Sequence, residues 1–230
     1  MTSSISVNPL AWTPCHRLVA SRFPTVGLYD EVASPEDLDV VLAIAALTDP
    51  QARQELGQLS LVSPEARVTG PGATMIMAAF THLNPLGSRF SDGSWGVYYA
   101  GESFETAVAE VSHHRAAFLS RTAEPAIDID LRCIQADLVD KLHDLRGRRS
   151  DLPEVYDPAH YGMSQDLART LRTQGSAGIV YESVRRPAGE CVAVFRPRAL
   201  SNARATSYVG LHWDGTAITH WFEKGVPNAV

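Results

Sequence analysis

One stretch organises the chain: SRFSDGSWGVYYAGESFETAVAE, residues 88–110. Gly93 and Gly96 allow the backbone to bend or to approach another group closely, so the first part is predicted to be a loop. The apolar and aromatic run at 97–100 predicts a short β-strand. Ser103 is a suitable N-cap for the helix that follows. The stretch therefore places Arg89 on a loop immediately before a strand and a helix.

The helix after Ser103 has an apolar face formed by regularly spaced residues: Phe104, Ala107, Val108, Val111 and Phe118. At about 100° per residue, Glu110 falls at the edge of this face, roughly 90° from its centre. A carboxylate at this position is predicted to be half-buried, rigidly held and still accessible to a ligand. The alternative is a surface glutamate beside an apolar stripe, and helical spacing alone does not separate the two.

The composition indicates a soluble globular protein, since 45% of the 230 residues are hydrophobic and 20% are charged. A formal charge of −6 and a pI near 5.7 argue against nucleic acid as the main partner. Cys15, Cys133 and Cys191 are far apart in sequence, so neither a disulfide framework nor a metal site is indicated. With no recognisable export signal or membrane-spanning stretch, a cytoplasmic location is expected.

Helix and strand signals alternate along the chain, with Pro, Gly and Ser marking the breaks between them. Strands are predicted near Cys15–Ala20, Ile127–Arg132, Gly178–Ser183 and Cys191–Phe195, and helices over Ala73–Phe80 and after Ser34 and Ser164. We therefore predict one α+β domain over residues 1–230 with a central, largely antiparallel sheet. Its core is expected at about 15–200, with an N-terminal helical insertion at about 34–70 and a C-terminal Asp-Gly hairpin at about 207–222.

Five short blocks in this order resemble the RES-domain family, named for its arginine, glutamate and serine. The blocks are CHRL at 15–18, SRF at 88–90 with Gly93, VYYA at 97–100, TAVAE at 106–110, and GIVYES at 178–183 leading into VAVF at 192–195. The resemblance extends from about Arg17 to Phe195. It implies a fold similar to that of the ADP-ribosyltransferases.

The resemblance also implies a toxin of a toxin–antitoxin system that breaks the nicotinamide–ribose bond of NAD. NAD would be a consumed substrate and no resident cofactor is expected. The ADP-ribose would pass to phosphate, to water or to a protein, and one alternative is a protein ADP-ribosyltransferase that modifies one specific cellular enzyme. A cognate antitoxin protein, Xre-like, is expected to cover the active site, and no direct contact with nucleic acid or membrane is expected.

The resemblance assigns a role to each matching residue. Glu110 would be the central carboxylate, close to the ribose. Arg17 and Arg89 would hold the pyrophosphate or an acceptor phosphate, because a guanidinium forms bidentate bonds to phosphate. Tyr98 would pack on the nicotinamide or its ribose.

The serine of the family has two candidates in this chain. Ser183 would orient the substrate with its hydroxyl, although Glu182 stands where the family often has proline. Ser164, the predicted N-cap of a helix, is the alternative substrate-binding serine. The family also often has glycine and tryptophan beside the loop arginine, where this chain has Ser88 and Phe90.

Three other interpretations remain at this point. Glu110 and His113, followed by His114, are reminiscent of a metal-dependent hydrolase, but the other histidines show no ligand spacing. A Gly-x-Ser-x-Gly elbow for nucleophilic catalysis is not present. In a non-catalytic interaction module, Arg89 and Glu110 would simply form a salt bridge.

The basic segment 146–153 is predicted to be a solvated turn, with phosphate binding as the alternative.

Overall fold

The computed structural model describes residues 5–21, 29–30, 40 and 57–225 of the chain. The strands are β1 (Val7–Ala20), β2 (Tyr98–Gly101), β3 (Ile127–Asp144), β4 (Gly178–Glu182), β5 (Glu190–Val194), β6 (Leu200–Trp213) and β7 (Ile218–Lys224). The helices are α1 (Ala73–Thr81), α2 (Phe104–Leu119) and α3 (Gly162–Thr173), with 3₁₀ turns at Leu59–Leu61, Pro64–Ala66 and Pro197–Ala199. Among these residues, no helix combines the length and apolar character needed to cross a bilayer.

The strands form one mixed sheet in the order β1-β2-β5-β4-β3-β6-β7. β3 and β4 are parallel, and the other neighbouring strands are antiparallel. β1 also pairs with β3, from Val7 opposite His143 to Ala20 opposite Leu131. This additional pairing joins β1, β2, β5, β4 and β3 into a closed ring, from which β6 and β7 continue outward. The predicted α+β fold with a largely antiparallel sheet is confirmed.

Hydrophobic clusters attach the helices to the two faces of the sheet. One cluster joins α1 to a face of β2 and β5 through Tyr98, Val192 and Val194. A second cluster, with Tyr99 and Cys191, joins the opposite face of these strands to α3. A third packs α2 on β3 and β6. Because successive residues of a strand point to opposite faces, Tyr98 and Tyr99 lie in different clusters.

The loop before β2 lies tightly against α1. A Cβ on Gly96 would lie 2.3 Å from the Phe80 Cα, so only glycine permits this approach. Gly93 has a φ of 94°, a left-handed conformation that residues with a side chain rarely adopt. The two glycines therefore have the roles that the sequence predicts.

Several predicted elements have different bounds in the structure. β1 begins at Val7 and continues through Pro14, and β3 extends to Asp144, well beyond the predicted end at Arg132. The Asp-Gly turn connects β6 to β7, which pair as an antiparallel hairpin. The predicted helical insertion at about 34–70 lies largely outside the described residues.

Candidate active site

Glu110 on α2 is the centre of the site. Ser103 caps this helix as predicted, because its hydroxyl accepts a 3.2 Å hydrogen bond from the Thr106 amide. Glu110 is half-buried. Its Oε1 accepts a 2.6 Å hydrogen bond from the Ser183 hydroxyl and lies 3.6 Å from the Cys191 Sγ. Its Oε2 makes no hydrogen bond with a described residue, so one carboxylate oxygen is oriented and the other is available to a ligand.

Ser183, just after β4, orients the carboxylate. Its side chain is buried, and its Oγ accepts hydrogen bonds from the amides of Arg185 and Arg186, at 3.0 and 2.9 Å. With both acceptor positions of the hydroxyl occupied, its single proton is directed at Glu110. The Arg149 guanidinium donates to the Ser183 carbonyl oxygen at 2.8 Å. The Ser183 hydroxyl is thus held by two main-chain amides, and its own main chain is held by Arg149.

The loop that carries Arg89 is held by β2. The Tyr99 phenol oxygen accepts a 2.9 Å hydrogen bond from the Phe90 amide and lies 2.8 Å from the Ser88 hydroxyl. Burial raises the pKa of Tyr99 to about 12, so the phenol remains protonated at neutral pH. Tyr99 therefore holds the residues on both sides of Arg89, Ser88 through its hydroxyl and Phe90 through its amide.

Ser164 holds the same loop from α3. Its fully buried hydroxyl lies 2.6 Å from the Arg89 carbonyl oxygen and 2.9 Å from that of Tyr161. The prediction that Ser164 caps the helix is wrong, since the cap residue is Tyr161 and Ser164 is the third residue of α3. Of the two candidate serines, Ser183 bonds to Glu110, whereas Ser164 bonds to main-chain oxygens.

The Arg89 guanidinium is almost completely buried. Its Nη1 donates to the carbonyl oxygens of Val155 and Asp157, both at 2.9 Å, and its Cζ lies 4.8 Å from the centre of the Tyr161 ring. It makes no ion pair with Glu110. The salt bridge on which the non-catalytic interpretation depends is therefore not formed.

Three titratable side chains near the carboxylate are uncharged. Burial raises the pKa of the Cys191 thiol, and the nearby Glu110 carboxylate raises it further. Burial also holds the pKa of Tyr181 well above its usual value. Burial and then the positive charge of Arg185 lower the pKa of His113, one helical turn after Glu110. All three side chains are therefore neutral at neutral pH.

Arg17 and Tyr98 form a separate pair on the opposite face of β2. The Arg17 Cζ lies 4.7 Å from the centre of the Tyr98 ring. Among the described residues, the Arg17 guanidinium makes no hydrogen bond or ion pair, and the fully buried Tyr98 hydroxyl has no hydrogen-bond partner. Burial lowers the pKa of Arg17 and raises that of Tyr98. The structure thus divides the predicted site residues into two groups, one at Glu110 and one at Arg17.

A family model described as the RES domain matches residues 64–214. The chain belongs to the RES domain family. The match includes Arg89, Glu110, Ser164 and Ser183, and it begins after Arg17, whose predicted role therefore depends on the short block at 15–18 alone. The predicted family resemblance is confirmed.

The chain is similar to two other proteins, one in sequence and one in structure. The uncharacterized protein y4oC of Sinorhizobium fredii (strain NBRC 101917 / NGR234) is 31% identical over 208 residues, which cover 89% of this chain and 84% of the relative. A chain from the crystal structure of the M. tuberculosis MbcT–MbcA toxin–antitoxin complex has a TM-score of 0.50 and 11% identity, with 89% of this chain and 86% of that chain covered. At this low identity, the structural likeness concerns the fold.

The structure adds residues to the candidate site that the sequence interpretation missed. Tyr99, and not Tyr98, lies on the face of β2 that holds Arg89. Strand alternation separates the two tyrosines, but choosing between them requires the register of β2 against β5. Arg149 and Arg185 also contact the candidate site. The adjacent arginines at 148–149 and 185–186 were a signal for them, but the segment 146–153 was predicted to be a solvated turn and the loop at 184–189 received no functional interpretation. In the described part of the chain, no group of three or more His, Cys, Asp or Glu side chains is arranged to hold a metal ion.

Proposed function

We propose that this RES domain protein is the toxin of a toxin–antitoxin pair and that it breaks the nicotinamide–ribose bond of NAD. The observation that carries the proposal is the Glu110 carboxylate, which is half-buried, oriented by Ser183 at Oε1 and open to a ligand at Oε2. Membership of the RES domain family supports the proposal, as does the likeness to a chain of a toxin–antitoxin complex.

A fixed carboxylate suits this reaction. When the bond between ribose C1′ and the nicotinamide nitrogen breaks, its electron pair leaves with nicotinamide and positive charge develops on the ribose. Glu110 stabilises that charge electrostatically. Cys191 and Tyr181 remain protonated and add no competing negative charge. Phosphate, water or a protein side chain then bonds to C1′ and loses a proton, which completes the transfer of ADP-ribose.

The proposed partner is a cognate antitoxin that covers the Glu110 site. An antitoxin that blocks access to Oε2 would prevent catalysis without altering the fold. The Xre-like character of this antitoxin remains a prediction from the family resemblance.

The test follows nicotinamide release from NAD by purified protein, with and without phosphate and with and without cell lysate. We expect Glu110→Gln to reduce release about 100-fold or more, the typical effect of removing one group that stabilises transition-state charge. Glu105→Gln is the matched control, because Glu105 lies exposed on the first turn of the same helix. It should retain release close to that of the wild type.

The acceptor is identified by the conditions that release requires. Phosphate-dependent release indicates a phosphorylase, phosphate-independent release a glycohydrolase, and label on a lysate protein an ADP-ribosyltransferase. A folded, antitoxin-free protein that releases no nicotinamide under any of these conditions would refute the proposal and favour an interaction module. Undiminished release by folded Glu110→Gln would refute the role of the carboxylate.

A further inference from the structure

Arg89 and Arg185 lie in two loops beside the Glu110 site, and their guanidinium groups are held differently. We infer that Arg185 is the residue that binds the phosphate groups of the substrate, whereas Arg89 is a positioning residue for the wall of the site. This inference rests on the proposed function, because it concerns the same site. It differs from the role that the family resemblance implies for Arg89.

Both donors on Nη1 of Arg89 are engaged by the protein, and the side chain is buried. Both N–H groups of its Nη1 are directed at main-chain oxygens, those of Val155 and Asp157. The side chain is only 7% exposed, and the Tyr161 ring lies against it. If Nη1 turned to an anion, two carbonyl groups would lose their partners, at a cost in stability. Arg89 therefore stabilises the segment 155–161 beside the site.

The main chain of Arg185 is anchored next to the reactive carboxylate. Its amide donates to the Ser183 Oγ at 3.0 Å, and the same hydroxyl donates to Glu110 at 2.6 Å. Its side chain reaches the segment 155–161, where Nη2 donates to the Pro158 carbonyl oxygen, and its positive charge lowers the pKa of His113 in the turn after Glu110. Arg185 is thus fixed at its base beside Glu110 and at its tip on the segment that Arg89 also contacts.

The guanidinium of Arg185 has donors to spare. It is half-buried, and within the described part of the chain it makes one hydrogen bond, from Nη2 to the Pro158 carbonyl oxygen at 2.5 Å. It forms no ion pair with a carboxylate of the described residues. An arginine carries five N–H donors, so most of them remain available to a ligand. A half-buried guanidinium without a carboxylate partner favours an anion with planar, bidentate acceptors, such as a phosphate group.

The neighbouring residue, Arg186, provides a matched control. Its amide also donates to Ser183 Oγ, a bond that side-chain substitution leaves in place. Its guanidinium differs from that of Arg185, because it lies 3.7 Å from the Glu105 carboxylate at the start of α2. Arg185 and Arg186 therefore lie in the same loop and carry the same charge, but their guanidinium groups contact different parts of the protein.

The experiment measures binding of ADP-ribose and of inorganic pyrophosphate by calorimetry, using purified full-length protein free of antitoxin. We expect Arg185→Ala to weaken binding of ADP-ribose about tenfold or more, which corresponds to the loss of a charge-assisted hydrogen bond. Arg186→Ala should change binding less than about twofold. Because a phosphate-binding cation makes affinity salt-dependent, Arg185→Ala should also flatten the dependence of affinity on salt concentration.

Arg185→Gln tests the same point without depending on the stability of the alanine variant. Glutamine retains an N–H donor for the Pro158 carbonyl but has no charge, so it should weaken ADP-ribose binding in the same way. Unchanged affinity and unchanged salt dependence in both Arg185 variants would overturn the inference. So would an equal loss of affinity in Arg186→Ala.

The nicotinamide assay separates this inference from the proposed function. If the wild-type protein releases nicotinamide and the Arg185 variants bind ADP-ribose normally, only the role of Arg185 is refuted. Wild-type protein that neither binds ADP-ribose nor releases nicotinamide would refute the proposed function itself. A higher KM for NAD in Arg185→Gln, with little change in kcat, would support a binding role for this residue.

Discussion

Replacement of Ser183 by alanine tests the central contact of the site. The change removes three hydrogen bonds that meet at one oxygen, at 2.6 Å to Glu110, 3.0 Å from the Arg185 amide and 2.9 Å from the Arg186 amide. A hydrogen bond to a charged group contributes about 1.5–3 kcal/mol and a neutral one about 1 kcal/mol. Since water replaces part of this loss at a half-buried site, we expect Ser183→Ala to lower the free energy of unfolding by about 2–3 kcal/mol.

Stability is measured by urea unfolding. Nicotinamide release is measured separately, on folded protein without urea. Release should fall about tenfold or more, because Glu110 loses the group that orients it. Ser120→Ala is the control, since Ser120 is exposed just after the same helix and should change stability by less than about 0.5 kcal/mol. A Ser183→Ala protein with the stability and activity of the wild type would refute the argument that this hydroxyl organises the site.

Three further predictions follow from the loop before β2 and its neighbours. Tyr99→Phe should lower the free energy of unfolding by about 1–2 kcal/mol, because the phenol bonds to Ser88 and Phe90 beside Arg89. Tyr98→Phe should be neutral or stabilising, because its buried hydroxyl has no partner among the described residues. Equal effects of the two changes on thermal unfolding would contradict this. Gly96→Ala should destabilise the fold, because the added Cβ would lie 2.3 Å from the backbone of α1. Gly162→Ala should be tolerated, because no atom lies within 4 Å of the added Cβ. Equal denaturation midpoints for the two variants would count against this packing. Hydrogen bonds from a serine and an arginine lower the pKa of Asp92 to about 2, so its stabilising contribution is present above its unfolded pKa of about 3.8 and is lost as the pH falls toward 2. The stability difference between wild type and Asp92→Asn, measured across this range, should therefore shrink with acidification, and a difference independent of pH would show that the carboxylate charge is not involved.

The local features of this fold could be predicted because each depends on a few adjacent residues. The Ser103 cap and the half-buried position of Glu110 follow from helix geometry. Gly175, with a φ of 81°, ends α3 as its position after the helix indicates. These features need no knowledge of distant partners.

The features that could not be predicted depend on contacts between distant segments. Pro14 suggested a strand boundary, but β1 continues past it because β3 pairs with β1 on both sides of the proline, with a register shift between Trp12 and Cys15. The partners of Arg89 are main-chain oxygens far along the chain, and no side-chain pattern marks such acceptors. The separation of Arg17 and Tyr98 from Glu110 depends on sheet register, which sequence spacing does not specify.

The long pairing between β1 and β3 bears on where the folding unit begins. Residues 64–214 match the family, yet β1 ends at Ala20 and contributes the buried Cys15 to the main hydrophobic cluster. A chain shortened to the matched residues would leave the edge of β3 without its partner, and unpaired strand edges template aggregation. The boundaries recognised by homology and those required for solubility therefore differ in this protein, and expression trials should retain the N-terminal strand.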